Sequence, residues 1–233
     1  MLDRLTQSEQ QAIAAEPYEH RGIPHSEMAL IIDTCRRLEI EVFIESGRAR
    51  GQSTYMLAKY LPDVEIHSID ARPEHPDEAF ARERLKGFGN VKLYTGDGAH
   101  ALPHLARHQR PRKTAVLCDG PKGILAVAVI EKCFRYPHVL VGFAHDMRPI
   151  DHGVPSPYRA AAAAVFPGAT FSDDPAFIAA TSWMDVRVVE ANGPVGPEQQ
   201  QQFGSYGPTV GVFRNIPRLL TSEPKQQAEE LSP

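Results

Sequence analysis

The sequence predicts an α/β protein with a doubly wound, mostly parallel seven-stranded sheet and an antiparallel last strand. Three observations carry this reading. Strand-like and helix-like segments alternate five times between residues 41 and 165, as in a parallel sheet with helices on both faces. Two of the strand segments, Thr114–Cys118 ("TAVLC") and residues 139–143 ("VLVGF"), are apolar without alternation, which suits strands covered on both sides. The last two strand-like segments, residues 186–189 and 209–213, have no helix-like segment between them, so they are expected to pair antiparallel.

Each element has its own signal. A helix over residues 26–38 starts at Ser26, a capping residue type, and spaces Met28, Ile31, Ile32 and Cys35 along one stripe. A short strand at 41–44 breaks into a glycine-containing loop and then the helix Gln52–Tyr60. A strand at 65–69 precedes a helix at 77–86 that begins after two prolines. A strand at 91–94 leads to a helix at 99–107. "TAVLC" leads to a helix at 123–134, and "VLVGF" to the Ala-rich helix Pro157–Val165. The organisation expected is an N-terminal helical cap at 1–40, a main domain at 41–215 and a disordered tail at 216–233, rich in Pro, Gln and Glu. Residues 191–208 ("ANGPVGPEQQQQFGSYGP") are expected to form a long loop.

Composition narrows the function. The chain has 233 residues, 42% hydrophobic and 23% charged, ordinary for one globular domain. A formal net charge of -4 gives no electrostatic reason for a nucleic-acid or anionic-membrane partner. The basic run at 107–113 ("RHQRPRK") reads as a solvated loop. Cys35, Cys118 and Cys133 are odd in number and read as reduced core thiols. No signal-like leader and no stretch long enough to span a bilayer is visible, so a cytoplasmic protein is expected.

In a sheet of this kind, ligands bind beyond the carboxyl ends of the strands. After the first strand comes Glu45-Ser46-Gly47-Arg48-Ala49-Arg50-Gly51, where Gly47 and Gly51 permit a tight turn. It is not the G-x-G-x-x-G dinucleotide fingerprint, because Ala49 stands at the second glycine and the third is shifted. After the second strand comes Asp70, at the offset of a ribose-binding carboxylate, or of a turn residue. After the third comes Asp97, an acceptor for an amino group or a helix cap. After the fourth comes Asp119 with Lys122, and after the fifth His145 with Asp146.

The order of these residues resembles the class I S-adenosylmethionine-dependent methyltransferase family, whose first motif is E/D-x-G-x-G-x-G; Ala49 replaces the middle glycine here. The resemblance implies a Rossmann-like methyltransferase fold with S-adenosylmethionine as cofactor. Glu45, Gly47 and Gly51 would surround its methionine part, Ser53 its carboxylate, Asp70 its ribose, and Asp97 with the Gly98 backbone its adenine. Asp119-Gly120-Pro121-Lys122 resembles the catechol O-methyltransferase arrangement, with Asp119 a metal ligand and Lys122 a general base. The macrocin O-methyltransferase and cephalosporin hydroxylase relatives keep an acidic pair where His145 and Asp146 stand. That implies a divalent metal, Mg or Mn, on Asp119, His145 and Asp146, although an imidazole suits Mn, Fe or Zn better than Mg. The partners implied are a small-molecule acceptor, methylated on oxygen, and a second copy of the chain as a homodimer. Tyr18, His20 and His25 are candidate lid residues, and Trp183, the sole tryptophan, is expected in the core. Two alternatives stay open: a nicotinamide-dependent enzyme, disfavoured by the absent fingerprint, and a cofactor-binding protein that has lost methyl transfer.

Overall fold

The computed structural model of the protein describes residues 2–20, 22–192 and 209–216. The expected long loop lies largely outside these residues, and the expected tail almost entirely so. The strands are β1 (Val42–Ser46), β2 (Glu65–Asp70), β3 (Val91–Thr95), β4 (Thr114–Cys118), β5 (Val139–Ala144), a small hairpin of β6 (Ile150–Asp151) and β7 (Val154–Pro155), then β8 (Thr170–Phe171) and β9 (Gly211–Arg214). The helices are α1 (Gln7–Ala15), α2 (His25–Leu38), α3 (Gln52–Tyr60), α4 (Pro76–Leu85), α5 (Gly98–Arg107), α6 (Gly123–Cys133), α7 (Pro157–Val165), α8 (Pro175–Thr181) and α9 (Val186–Asn192).

The main sheet has seven strands in the order β3-β2-β1-β4-β5-β9-β8. The first five run parallel, and β9 is antiparallel to both β5 and β8. The order reverses between β1 and β4, so the carboxyl ends of the parallel strands form one edge with a switch point in the middle. Side chains alternate across the sheet. Phe43, Ala115, Leu117, Val141 and Phe143 bury against α2 and α3 on one face, while Val42, Ile44, Val116 and Cys118 bury against α5 and α6 on the other. The two faces explain the uninterrupted apolar reading of β4 and β5. Cys35, Cys118 and Cys133 are free and buried, as expected. No helix among the described residues is long and apolar enough to cross a membrane.

Two expectations are corrected. Residues 186–189 are not a strand but the start of α9. Only Val188 of that run is buried, whereas Val186 and Val189 are exposed, so "VRVV" supplies a single contact to the core. The seventh strand is β8, two residues long and too short to show any periodicity. Helices α8 and α9 therefore lie between β8 and β9, yet the pairing is antiparallel. Trp183, expected in the core, is 44% exposed and donates its indole N–H to the Ala180 carbonyl at 3.1 Å. Helix α1 was not singled out from the sequence, although "TQSE" carries its signal: Thr6 and Glu9 form a reciprocal capping box.

Helix α2 belongs to the same buried cluster as β1, β4 and β5, through Met28, Ile31, Ile32 and Cys35. Its N-terminus is capped from far away in sequence. Asp185 accepts from the Ser26 backbone N–H at 2.9 Å and from its hydroxyl at 2.5 Å. Burial pushes the Asp185 carboxyl up to about 6, against the hydrogen bonds from Ser26. A raised carboxyl takes up its proton more readily in the folded state, so its contribution is greatest below the ordinary value of 3.8 and is lost as pH rises through about 6. Asp185→Asn cannot ionise, and is expected to gain on the parent protein by about 3 kcal/mol between about pH 4 and about pH 7. Urea unfolding of both proteins across that range checks this; a constant difference would contradict it.

Candidate active site

The loop after β1 is held from below by Arg48. Its side chain is fully buried; one guanidinium nitrogen is paired with Glu78, and the other donates to the Ser68 carbonyl at 2.7 Å and the Tyr94 carbonyl at 3.3 Å. Nothing in the sequence pattern singled out this arginine. Its position between two glycines was the available signal, since a charged residue there must either reach solvent or find partners beneath the loop.

Glu45 lies inside β1, fully buried, and accepts from Ser53, Thr54 and Ser68. Burial raises its carboxyl above the usual range. Glu45 and Ser53 therefore bind each other under the loop. Gly47 is in the left-handed region, and a Cβ there would lie 2.7 Å from the Gly120 nitrogen and 2.8 Å from the Asp119 carbonyl carbon. A Cβ on Gly98 would collide with the Gly120 carbonyl oxygen and sit 2.7 Å from Ser46 Cβ. These two glycines let the loops after β1, β3 and β4 touch backbone to backbone. A side chain at Gly47 would thus strain the fold before it met a ligand. Gly51 is the left-handed residue that starts α3.

Asp70 ends β2 and is nearly buried. Its Oδ2 accepts from the Ala49 N–H at 2.8 Å and its Oδ1 from the Arg72 N–H at 3.0 Å. Ala49 itself is left-handed, at φ 45°. Asp97 caps α5, accepting from the Ala99 N–H at 2.9 Å, and its other oxygen lies 2.6 Å from His100 Nδ1; its side chain is exposed. Asp70, Asp97 and the 47–51 loop thus share the carboxyl edge, while Glu45 and Ser53 lie beneath it. At the N-terminal end, His25 is fully buried, Tyr18 donates to the Gly22 carbonyl at 2.8 Å, and His20 is exposed.

Across the switch point, Asp119, His145 and Asp146 come together with candidate ligand atoms all within 4.8 Å of one another. His145 Nδ1 is 2.8 Å from Asp119 Oδ1 and 3.7 Å from Asp146 Oδ1, and its Nε2 is 3.2 Å from Glu27 Oε2. Asp146 adopts φ 60°, a strained value for a non-glycine residue. Lys122 Nζ pairs with Asp119 and lies 2.7 Å from Asp146 Oδ2. Burial opposes charge on His145, but Asp119 and Glu27 outweigh it and hold the imidazole up at about 10. Burial likewise opposes the Asp146 charge, yet His145 and Lys122 bring its carboxyl down to about 2. Burial also opposes the Lys122 charge, and the two aspartates overcome it, so the ammonium keeps its proton. Two carboxylates and an imidazole make a donor set suited to a divalent cation. A divalent ion there would replace two positive charges, the ammonium and the imidazole proton, so the charge balance also fits.

No family model and no curated protein matches the chain. Among solved structures, the SAH-bound methyltransferase PaMTH1 of Podospora anserina is similar at 15% identity, over 81% of this chain and 77% of that one, with a TM-score of 0.46. A Klebsiella pneumoniae protein assigned as an O-methyltransferase is similar at 17% identity over 92% and 90% of the two chains, TM-score 0.46. A Staphylococcus aureus protein assigned as a caffeoyl-CoA O-methyltransferase is similar at 16% identity over 62% and 68%, TM-score 0.44. The strand order is what decides the fold: five parallel strands reversing between β1 and β4, then an antiparallel β9 inserted between β5 and β8. This is the strand arrangement that the resemblance to the class I methyltransferases implied. Along this sheet, the 47–51 loop, Asp70 and Asp97 occupy the β1–β3 half of the edge, and the Asp119–Lys122–His145–Asp146 cluster the β4–β5 half.

Proposed function

We propose that the protein transfers a methyl group from S-adenosylmethionine to an oxygen of a small molecule, with a divalent cation held by Asp119, His145 and Asp146. The observation that carries this reading is the placement of carboxylates at the end of β2 and after β3, β4 and β5 on one edge of a sheet with a switch point. Asp70 keeps free lone pairs beside its two backbone donors and would accept from ribose hydroxyls. Asp97, at the exposed start of α5, would accept from the adenine amino group. S-adenosylmethionine supplies a methyl carbon on a positive sulfur, and the divalent cation supplies Lewis acidity toward the acceptor hydroxyl. The chain's own work is alignment of donor and acceptor, and removal of the acceptor proton. Lys122 holds its proton while it spans Asp119 and Asp146, so it serves as a base only when those carboxylates face another cation.

The same contact favours a second reading. The Lys122 ammonium already bridges the two aspartates, and it could neutralise an acceptor oxyanion without any metal. Activity in EDTA separates the two: turnover lost and restored by Mn supports the metal, and full turnover supports the ammonium. The cofactor is tested by calorimetric titration with S-adenosylhomocysteine beside NAD. Asp70→Ala is expected to weaken S-adenosylhomocysteine binding by roughly ten- to hundred-fold, about 1.5 to 3 kcal/mol for lost charge-assisted hydrogen bonds. Binding of NAD alone, or unchanged affinity in a folded Asp70→Ala protein, would contradict this assignment.

A further inference from the structure

Glu27 lies in the first turn of α2, fully buried, and its carboxylate meets groups far away in sequence. Its Oε1 is clamped: it accepts from the Ser172 hydroxyl at 2.7 Å, from the Val210 N–H at 2.5 Å and from the Thr209 N–H. Its Oε2 makes no hydrogen bond and is shielded from solvent. The group facing Oε2 is His145, with Nε2 at 3.2 Å, while the other ring nitrogen faces Asp119 at 2.8 Å. Glu27, the imidazole and Asp119 thus form a line from α2 through the end of β5 to the end of β4.

We propose that Glu27 positions His145 as a metal ligand, taking up the Nε2–H so that Nδ1 is left turned to the cation site. The inference rests on the metal reading given above. An imidazole binds a cation through one bare nitrogen, and the acceptor beside the other nitrogen selects which one that is. A freely rotating carboxylate could not make that selection. The three donors on Oε1 fix the plane of this one, and they come from the residue after β8 and the entry to β9, elements that also close the sheet. The two oxygens therefore have separate tasks. Oε1 ties the end of the sheet to α2, and Oε2 is reserved for the ring.

Glu27→Gln separates these tasks, because the amide keeps an acceptor for the Oε1 donors and presents N–H groups to Nε2. The ring is then driven to carry its proton on Nδ1, against the cation site. Mn affinity measured by calorimetry is expected to fall by about 10- to 100-fold in Glu27→Gln, with S-adenosylhomocysteine affinity unchanged. Ser172→Ala removes one Oε1 donor and is expected to lower stability while leaving Mn affinity as it was. Parental Mn affinity in Glu27→Gln overturns the inference and leaves the metal reading standing. An equal loss in Ser172→Ala also overturns it, since the role would then be structural. A parent protein that binds no Mn removes the metal reading and this inference with it. If Glu27→Gln does not fold, a crystal structure of the parent protein with Mn decides. An ion on Nδ1 with Nε2 on Glu27 supports the assignment, and an ion on Nε2 overturns it.

Discussion

Lys122→Ala is expected to lower methyl transfer by about 10²- to 10⁴-fold, the usual span for loss of a general base. The same substitution is expected to tighten Mn binding by about tenfold, because the ammonium and the cation compete for Asp119 and Asp146. Both effects follow from one geometry. Lys122 Nζ sits on Asp119 and 2.7 Å from Asp146 Oδ2, within the group of candidate metal ligands. The paired measurement is informative because the alternatives predict different combinations of outcomes. If Lys122 alone neutralises the acceptor, turnover falls and EDTA has no effect on the parent protein. If Lys122 is a solvated helix-start residue, neither rate nor Mn affinity moves. Rate is measured on an acceptor found by screening, and Mn affinity by calorimetry on the same preparations.

Arg48→Met is expected to destabilise the protein by about 3 to 5 kcal/mol, lowering the unfolding temperature by about 6 to 20 °C. The substitution removes the buried partner of Glu78 and leaves that carboxylate in a dry environment with only the exposed Arg82, 2.7 Å from its Oε1, to balance it, which is an expensive way to break a buried pair. It also frees the Ser68 and Tyr94 carbonyls that Arg48 now satisfies. Because Arg48 props the 47–51 loop, S-adenosylhomocysteine affinity is expected to fall alongside stability. Adding Glu78→Leu should recover much of the loss, since a buried apolar pair can replace a buried ion pair at little cost. Chemical unfolding of the single and double variants checks this. A loss under about 1 kcal/mol in Arg48→Met would show that the pair is worth no more than a surface one.

The parts of the site that were legible share one property. Asp70, Asp97, Asp119 and the His145-Asp146 pair each follow a strand that announces itself by local pattern, and a parallel sheet brings such positions to a common edge. Gly47 and Gly98 were legible as glycines but not for their use. Gly47 was expected to border the cofactor's methionine part and Gly98 to meet the adenine through its backbone, and both make room for the backbone near Gly120. Glu45 and Ser53 were read as facing the ligand, yet they are eight residues apart and hydrogen-bonded to each other under the loop. A residue's type shows that it can accept or donate, and only the packing shows to whom.

By itself, the sequence determined the alternation of strands and helices, the burial of β4 and β5 on both faces, and the edge on which the carboxylates gather. These are consequences of period and of short-range chain geometry, which neighbours in sequence express. The tertiary structure decided the rest: that "VRVV" is helix, that the seventh strand is only Thr170–Phe171, that Asp185 caps α2 from 159 positions away, and that Glu27 reaches the Thr209 N–H across 182. Such contacts leave no periodic trace, because their residues are chosen by the space and the unpaired donors they meet after the sheet has closed.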